Sequence, residues 1–596
     1  MALKSLNPFC RKRILSVQFW LSFSLLCLTP IAAISETGQE TKIAQKQTLA
    51  LWPALPKLYR PFNWTQRTRD FTQFIFNWGN SPLPTIVWNR NSDFDGGPYA
   101  GKGGVFTIAD FYGDQRIGYH NLFTNIAAVF SGSLVGLPMD RMTYANQTYN
   151  YVDQLSAYFN PTIGRLTLEP KANPGYSDWW YEVTANLLYF GLGDIYKGES
   201  QRGMDNRLKS IADTYASNID TFLSSPGIST YGFNHLGFDP LENKFRDVEP
   251  NQGFNYTDAG LGMGLIELLA YKKFGDPKYL ASAKLALNYY DKSSDNKFYD
   301  SFAQFGPYLA ARINAETGSH FSTTKYIDWV LEGNSAIGVF QKYQTDNKGT
   351  LLFDYFGASG FKRSYGQKER TYFLETTQYA FMLPAVKYDP SLALIMGKWM
   401  LHASTHASYF YPDQKTADSQ AEGGLYRSSS ANTIPYEALE IINHEGKFHF
   451  AESDPHRWKT DPNYQKTYES LGKSCANLSL YSGVWAGLWG GIIKNTNVPG
   501  ILQLDTNKLD FYSQSYPTYL YYNPYGTTRV VQIPLNNRSD LYDVITGTYL
   551  NKNQNGLGSF TIKPNGAVLL VVIPEGKTLI KKDKKTLVDN VVISFY

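Results

Sequence analysis

Apolar and polar positions follow two different periods along this chain. From about residue 60 to 500 the spacing is helical, and from about 505 onward it shortens to the two-residue alternation of strands. The helical part holds two kinds of segment. In 206–223, Leu208, Ile211, Ala212, Tyr215, Ile219 and Phe222 form one stripe, with Lys209, Asp213, Ser217 and Asp220 elsewhere. In 278–290, Leu280, Ala283, Leu287 and Tyr290 do the same. Four other segments, 183–196, 259–271, 375–386 and 481–493, are apolar or small on every side. A helix apolar all round is buried all round. The two kinds tend to alternate, which predicts hairpins of a buried inner and a half-buried outer helix: 116–137 with 143–159, 177–197 with 205–224, 257–274 with 277–291, 304–317 with 322–333, and 369–387 with 390–405. The segment 481–493 opens a sixth hairpin with no clear partner. Asp276-Pro277 and Asp389-Pro390 each place a capping carboxylate before a proline suited to a first helical position. Five to six such hairpins predict a closed double ring, with long loops on its faces, where function usually resides.

The tail reads differently. Thr518–Tyr522, Arg529–Ile533, Asp540–Leu550, Ser559–Lys563 and Gly566–Ile573 are short β-branched and aromatic runs separated by Asn, Pro and Gly. They predict a small antiparallel β-sandwich over 505–596.

The N-terminal 35 residues have their own pattern. Lys4, Arg11, Lys12 and Arg13 precede an apolar run from Ile14 to Leu28, and Ala33-Ile34-Ser35 offers a small-x-small site. This predicts a signal peptide over 1–35 and a secreted, extracellular or periplasmic protein. An uncleaved anchor over 14–34 is the alternative. Residues 36–50 are polar, and 36–60 reads as a linker. Removing the segment changes the charge arithmetic. The chain of 596 residues carries +4, from 56 basic and 52 acidic residues, and the segment contributes four bases and no acid, so the remainder is +4 − 4 = 0. A formally neutral chain has no electrostatic footprint for nucleic acid. Of three cysteines only Cys475 lies beyond the segment, so an internal disulfide is not expected. No later run is long and apolar enough to span a bilayer, so no membrane contact is expected after cleavage. Aromatic residues reach 15%, with 44 Tyr, 36 Phe and 12 Trp. That excess fits a large helical core.

With the hairpins and the strand-rich tail in view, the chain resembles the six-hairpin glycosidase superfamily, the (α/α)6 toroids. The resemblance covers roughly 60–500 and is architectural. The stretch from Asp540 to Ile573 looks like the C-terminal β-domain of many sugar hydrolases. It implies a catalytic toroid over 61–500 followed by the sandwich, and carbohydrate as the substrate of a probable monomer. It does not supply a sugar or a linkage.

Glycoside hydrolysis needs two carboxylates across the scissile bond, one a proton donor and one a base or nucleophile. In a toroid they belong where inner helices begin. Gly175-Tyr-Ser-Asp178-Trp179-Trp180-Tyr-Glu182 opens one inner helix. Asp178 and Glu182 are four apart and would share a helix face. Trp179 and Trp180 would supply an apolar wall that raises a carboxyl pKa and packs on a sugar. Asn255-Tyr256-Thr257-Asp258 opens the next inner helix, and Arg370 to Gln378, with Glu375, another. The catalytic candidates are therefore Asp178, Asp258, Glu182 and Glu375. Trp179, Trp180, Tyr256 and Trp485 are expected to line sugar subsites. Asp178 and Asp258 are also readable as helix caps, and Trp179 and Trp180 as core. Glu422, Arg427 and Glu437 lie in a long loop that could cross the cavity mouth.

A polysaccharide lyase is the second reading. It needs Tyr or His as base beside a group that neutralises a uronate, and Tyr119-His120-Asn121 with Arg116 is the candidate set. A non-catalytic glycan binder is the third. No metal or cofactor is expected. Asn91 to Gly97 lacks the distal Glu of a calcium loop, Gly96 to Lys102 is followed by Gly103 rather than Ser or Thr, and 444–456 holds three His without zinc-ligand spacing.

Overall fold

The computed structural model describes residues 49, 51–79, 85–89, 104–110, 112, 122–168, 179–197, 203–224, 237–239, 244–246, 258–298, 301–333, 337–345, 347–361, 369–411, 413, 434–435, 438–440 and 478–595. Asp178, Tyr119, His120, Tyr256, Arg116, Glu422, Arg427, Glu437, Cys475, the signal segment and the loops at 91–97 and 444–456 lie outside them.

Twelve helical units follow one another among the described residues. They are α1 (Trp64–Phe76), α2 (Leu122–Leu134), α3 (Tyr151–Gln154, continued by the 3-10 turn Leu155–Tyr158), α4 (Trp179–Ile195), α5 (Met204–Ser224) and α6 (Ala259–Phe274). Then come α7 (Pro277–Asp291), α8 (Gly306–Thr317, entered through the 3-10 turn Phe302–Phe305), α9 (Thr323–Glu332), α10, α11 (Ala393–Ser408) and α12. α10 runs as Phe373–Gln378, Tyr379–Met382 and Ala385–Tyr388, and α12 as Leu480–Gly483 and Ala486–Ile492.

The even-numbered helices form an inner ring. α2 packs on α4, α4 on α6, α6 on α8, α8 on α10, α10 on α12, and α12 returns to α2. Every residue of α2 is buried, as is α6 from Ala259 to Ala270. Small residues allow the close approach. A Cβ on Gly487 of α12 would collide with Ser131 of α2, whose hydroxyl donates to the Val484 carbonyl across the closing seam. The odd-numbered helices lie outside. The sixth outer helix is α1, at the other end of the chain. Thr65 donates to the Gly490 carbonyl at 2.8 Å, and Trp64 meets Trp489 with ring centroids 6.5 Å apart. The fold is thus a mainly α, (α/α)6 toroid carrying a C-terminal sheet domain. No helix of the described residues is long and apolar enough to cross a membrane.

Several local expectations change. Residues 143–159 are not one helix. Ala145 and Asn146 take positive φ and turn a hairpin, 142–144 with 147–149, so only 151–158 is helical. The second half of the expected linker is docked. Trp52 is 3% exposed, packs its ring against Phe356, Trp399 and His402, and donates to Gln341 at 2.8 Å. The caps at Asp276 and Asp389 form as expected, accepting from the Lys278 and Ser391 amides. The second one opens a 3-10 turn ahead of α11.

The C-terminal domain begins directly after α12. Its six antiparallel strands lie in the order 493–495, 502–505, 518–522, 567–574, 529–543, 548–562, so the sheet starts earlier than 505. Leu520, Tyr522, Leu569, Val571 and Ile573 join the toroid core. The alternate residues Tyr521, Val568 and Leu570 join a second core with Val531, Ile533, Leu535, Phe560 and Ile562. The long hairpin 529–562 shifts register between Leu535 and Ser539, and its residues Val531, Ile533, Leu535, Phe560 and Ile562 cover the sheet face that points away from the toroid core.

Two features fix where a site can be. The connections from inner to outer helices are short (135–150, 196–203, 275–276, 318–322, 389–392), whereas those from outer to inner helices are mostly long (77–121, 159–178, 225–258, 292–301, 333–372, 409–479). The long ones lead into the N-terminal ends of the inner helices. The opposite end is filled by Asp510-Phe511-Tyr512 from the sheet domain. Phe511 meets Phe130 of α2 and lies against Gly191 of α4, and the Tyr512 hydroxyl donates to the Phe190 carbonyl. Asp510 is bound by Arg312 and Tyr308 of α8 and by Lys387 and Tyr388 of α10. The sheet domain thus closes one end of the ring.

Candidate active site

The mouth is built from the first turns of the inner helices. α4 opens with two tryptophans that do different things. Trp179 is 1% exposed and meets Phe222 of α5, so it packs outward between the layers. Trp180 meets Phe123 of α2 and Phe302 ahead of α8, at 5.7 and 5.9 Å between centroids. Those partners belong to different inner helices, which puts Trp180 on the inner side of the ring. Phe123 is the hub of this wall, touching Tyr181, Tyr481 and Trp485 at 5.1, 5.5 and 5.0 Å. Tyr181 and Tyr481 are half-buried and their hydroxyls are 3.4 Å apart. The structure therefore brings Trp180 and Trp485 together and adds Phe123, Tyr181, Tyr481 and Phe302. Sequence reasoning missed these four, because single aromatics at helix starts look like ordinary core.

Each expected acid within the described residues has a defined setting. Glu182 is drawn toward the outer layer. Its Oε1 lies 2.6 Å from Nε of Arg165 and accepts from the Tyr215 hydroxyl of α5 at 3.2 Å, and both charged side chains are sealed from solvent. Burial and the Glu182 charge raise the Tyr215 phenol well above its ordinary value, so it acts as a donor. The i, i+4 argument that Glu182 joins the mouth thus meets a competing partner, an arginine from the hairpin 159–166. Asp258 is fully buried at the start of α6, and its Oδ2 accepts the Ala303 amide at 3.0 Å. It caps the turn that leads into the neighbouring inner helix rather than its own, and so locks α6 to α8. Burial and nearby charges, among them Asp258, push the Tyr290 phenol well up, and Tyr290 accepts the Gly260 amide.

Glu375 is in the first turn of α10, 7% exposed, with Oε2 accepting from Ser359 at 3.4 Å. A four-stranded sheet, in the order 438–440, 370–372, 359–361, 337–339, leads into this turn and fixes it at the mouth. Gln304 donates to the Glu375 carbonyl at 3.3 Å, bridging α8's entry to α10. One more acid is there. Asp110 follows the strand 105–108, is 7% exposed, and accepts from Thr124 of α2 at 2.6 Å. Among the described residues, no group of three or more His, Cys, Asp or Glu is placed to hold a metal ion.

No family model and no curated protein matches the chain. Solved structures do match. A mutant unsaturated glucuronyl hydrolase from Streptococcus agalactiae aligns at 10% identity and TM-score 0.32, covering 78% of this chain and 97% of its own. A GH127 β-L-arabinofuranosidase from Geobacillus stearothermophilus T6 aligns at 10% identity and TM-score 0.34, covering 89% and 84%. A third structure, titled glycoside hydrolase, aligns at 9% identity and TM-score 0.34, covering 78% and 75%. The toroid itself rests on the closed cycle of helix contacts in this chain.

Proposed function

We propose that the protein is a secreted glycoside hydrolase acting on a poly- or oligosaccharide. The observation that supports this best is a ring closed at one end by Asp510-Phe511-Tyr512, with Glu375 and Asp110 at the opposite end. That end also carries an aromatic cluster in which Tyr181 and Tyr481 are half-buried and Phe123, Phe302 and Trp485 are buried. Aromatic faces pack on the C–H faces of sugars, and a wall of low polarity raises the pKa of a nearby carboxyl toward that of a proton donor.

The acids proposed for the chemistry are Asp178, one residue before Trp179, with Asp258 and Glu375. Glu182 holds the start of α4 in place through Arg165. One carboxylic acid gives its proton to the glycosidic oxygen as the bond to the anomeric carbon breaks. A water oxygen bonds to that carbon and the second carboxylate takes the water's proton. Alternatively, the second carboxylate bonds first and water then displaces it, and the spacing of the pair decides which. Trp180, Trp485 and Tyr256 are the proposed stacking residues, and no cofactor enters.

The test is a glycan panel assayed for new reducing ends with the wild type and with Asp178→Asn, Asp258→Asn and Glu375→Gln. A true acid or base lowers kcat by about 10²–10⁴-fold. Full activity in all three variants would sink the assignment. Products absorbing in the near ultraviolet would instead reveal a lyase.

A further inference from the structure

We infer that Trp78, Trp88, Tyr144 and Tyr149 form a second carbohydrate-binding site, on the outer side of the ring, that holds an uncharged glycan chain. None of these rings touches the aromatic cluster at the inner helix starts, so the site goes beyond the hydrolase reading.

The four residues come from three short segments. Trp78 follows α1, Trp88 is in the strand 86–89, and Tyr144 and Tyr149 are in the hairpin that precedes α3. Both helices belong to the outer layer. The rings form a row. Tyr144 meets Trp78 at 4.8 Å between centroids, Trp78 meets Trp88 at 5.6 Å, and Trp88 meets Tyr149 at 5.5 Å. All four are half-buried. The row has a fixed base. Tyr149 stacks on Tyr151 at an interplanar angle of 14°, and the buried Tyr151 meets Phe76 and Phe106. At the other end, only glycine at position 79 leaves room for Tyr144, because a Cβ there would fall 1.8 Å from the Tyr144 hydroxyl. Rings placed in advance lose little freedom on binding.

Aromatic side chains left side by side at a surface mark an interaction site. Their polar neighbours say what kind. Gln147 is the cross-strand partner of Tyr144, and its amide oxygen accepts the Tyr149 hydroxyl at 2.6 Å. Gln147 is exposed, so its amide N–H groups remain for a ligand. No charged side chain occurs in 77–79, 85–88 or 142–150, although 18% of the chain is charged. Asp140 and Arg141, which precede the hairpin, bind each other at 3.0 Å. Rings that pack on C–H faces, beside an amide and away from charge, fit an uncharged sugar. Width points the same way. An aromatic side chain offers roughly 150–250 Å². Four half-buried ones therefore expose far less than the roughly 800 Å² that each partner buries in a stable protein interface. A row one ring wide suits a narrow chain instead.

The experiment is affinity electrophoresis of the full chain through native gels carrying soluble starch, galactomannan, arabinan or mixed-linkage glucan. Cleavage of short oligosaccharides is measured in parallel. At least one of these polymers should retard the wild type. Trp88→Ala and Tyr144→Ala should each weaken that binding about tenfold. Gln147→Ala should weaken it about threefold, the worth of one neutral hydrogen bond. Gln147 is exposed, so its variant keeps the test open if a ring variant fails to fold. Cleavage of oligosaccharides too short to bridge the row and the inner helix starts should be unchanged. No retardation by any polymer, or wild-type retardation in the folded variants, overturns the inference. A changed oligomeric state in the ring variants overturns it too, because the row would then be a contact between copies. Binding that depends on the row without any cleavage leaves the inference standing and overturns the hydrolase reading, and cleavage without such binding does the reverse.

Discussion

Three buried acids of this protein differ in what surrounds them, and the differences set testable behaviour. Glu182 has a guanidinium and a phenol, and Asp510 has two cations and two phenols. Glu267 on α6 is as deeply buried, yet neither of its oxygens has a hydrogen-bond partner. Burial raises its pKa well above 4.5, the charge of Asp213 adds to this, and Lys278 opposes it. Lys209 and Asp213 of α5 and Lys278 and Tyr279 of α7 form the charged and phenolic network beside it. The carboxyl stays protonated in the fold while the unfolded chain releases its proton. The unfolded state then binds fewer protons, so stability falls as pH rises above about 4.5 until the folded group ionises as well. Replacing Glu267 by Met should stabilise the protein by about 1–3 kcal/mol, the cost of an unmade buried hydrogen bond. Urea denaturation at pH 5 and pH 8 checks this. The gap between variant and wild type should widen with pH, and a constant gap would contradict the assignment.

Among the elements, the burial pattern made the ring legible. Segments apolar on all sides became inner helices, and amphipathic ones became outer helices. The partner of the last inner helix could not be read, because Trp64–Phe76 lies at the other end of the chain and hairpin logic pairs only neighbours in sequence. The candidate site was read from helix starts rich in acids and aromatics. Glu182 was misplaced because helical spacing says nothing of Arg165, which a separate hairpin supplies. The floor was likewise invisible, since Asp510-Phe511-Tyr512 has no periodicity. Burial pushes the Asp510 carboxyl up, but Lys387 and Arg312 more than offset it and hold it down to about 2. Its contribution is therefore complete above about pH 3.8 and is lost as pH falls toward 2. Asp510→Asn leaves Arg312 and Lys387 with a neutral partner and should cost about 3–5 kcal/mol. Chemical denaturation at neutral pH measures it. A loss under 1 kcal/mol would mean the floor is not held by this network, by the usual scale of exposed ion pairs.

For the molecule as a whole, the sheet domain and the toroid divide the work. The sheet contributes one layer of its core to the toroid and sends a three-residue plug into one end of the ring. The other end is formed by the starts of the inner helices, where the proposed sugar would enter. Amide hydrogen exchange, with and without an oligosaccharide that the panel shows to bind, tests this most directly. Bound sugar should protect the helix starts at 122–124, 179–182, 373–378 and 478–482 and leave 507–516 unchanged. Protection centred on 507–516 or on the outer face of the sheet, with the helix starts unaltered, would place the sugar elsewhere and contradict the account.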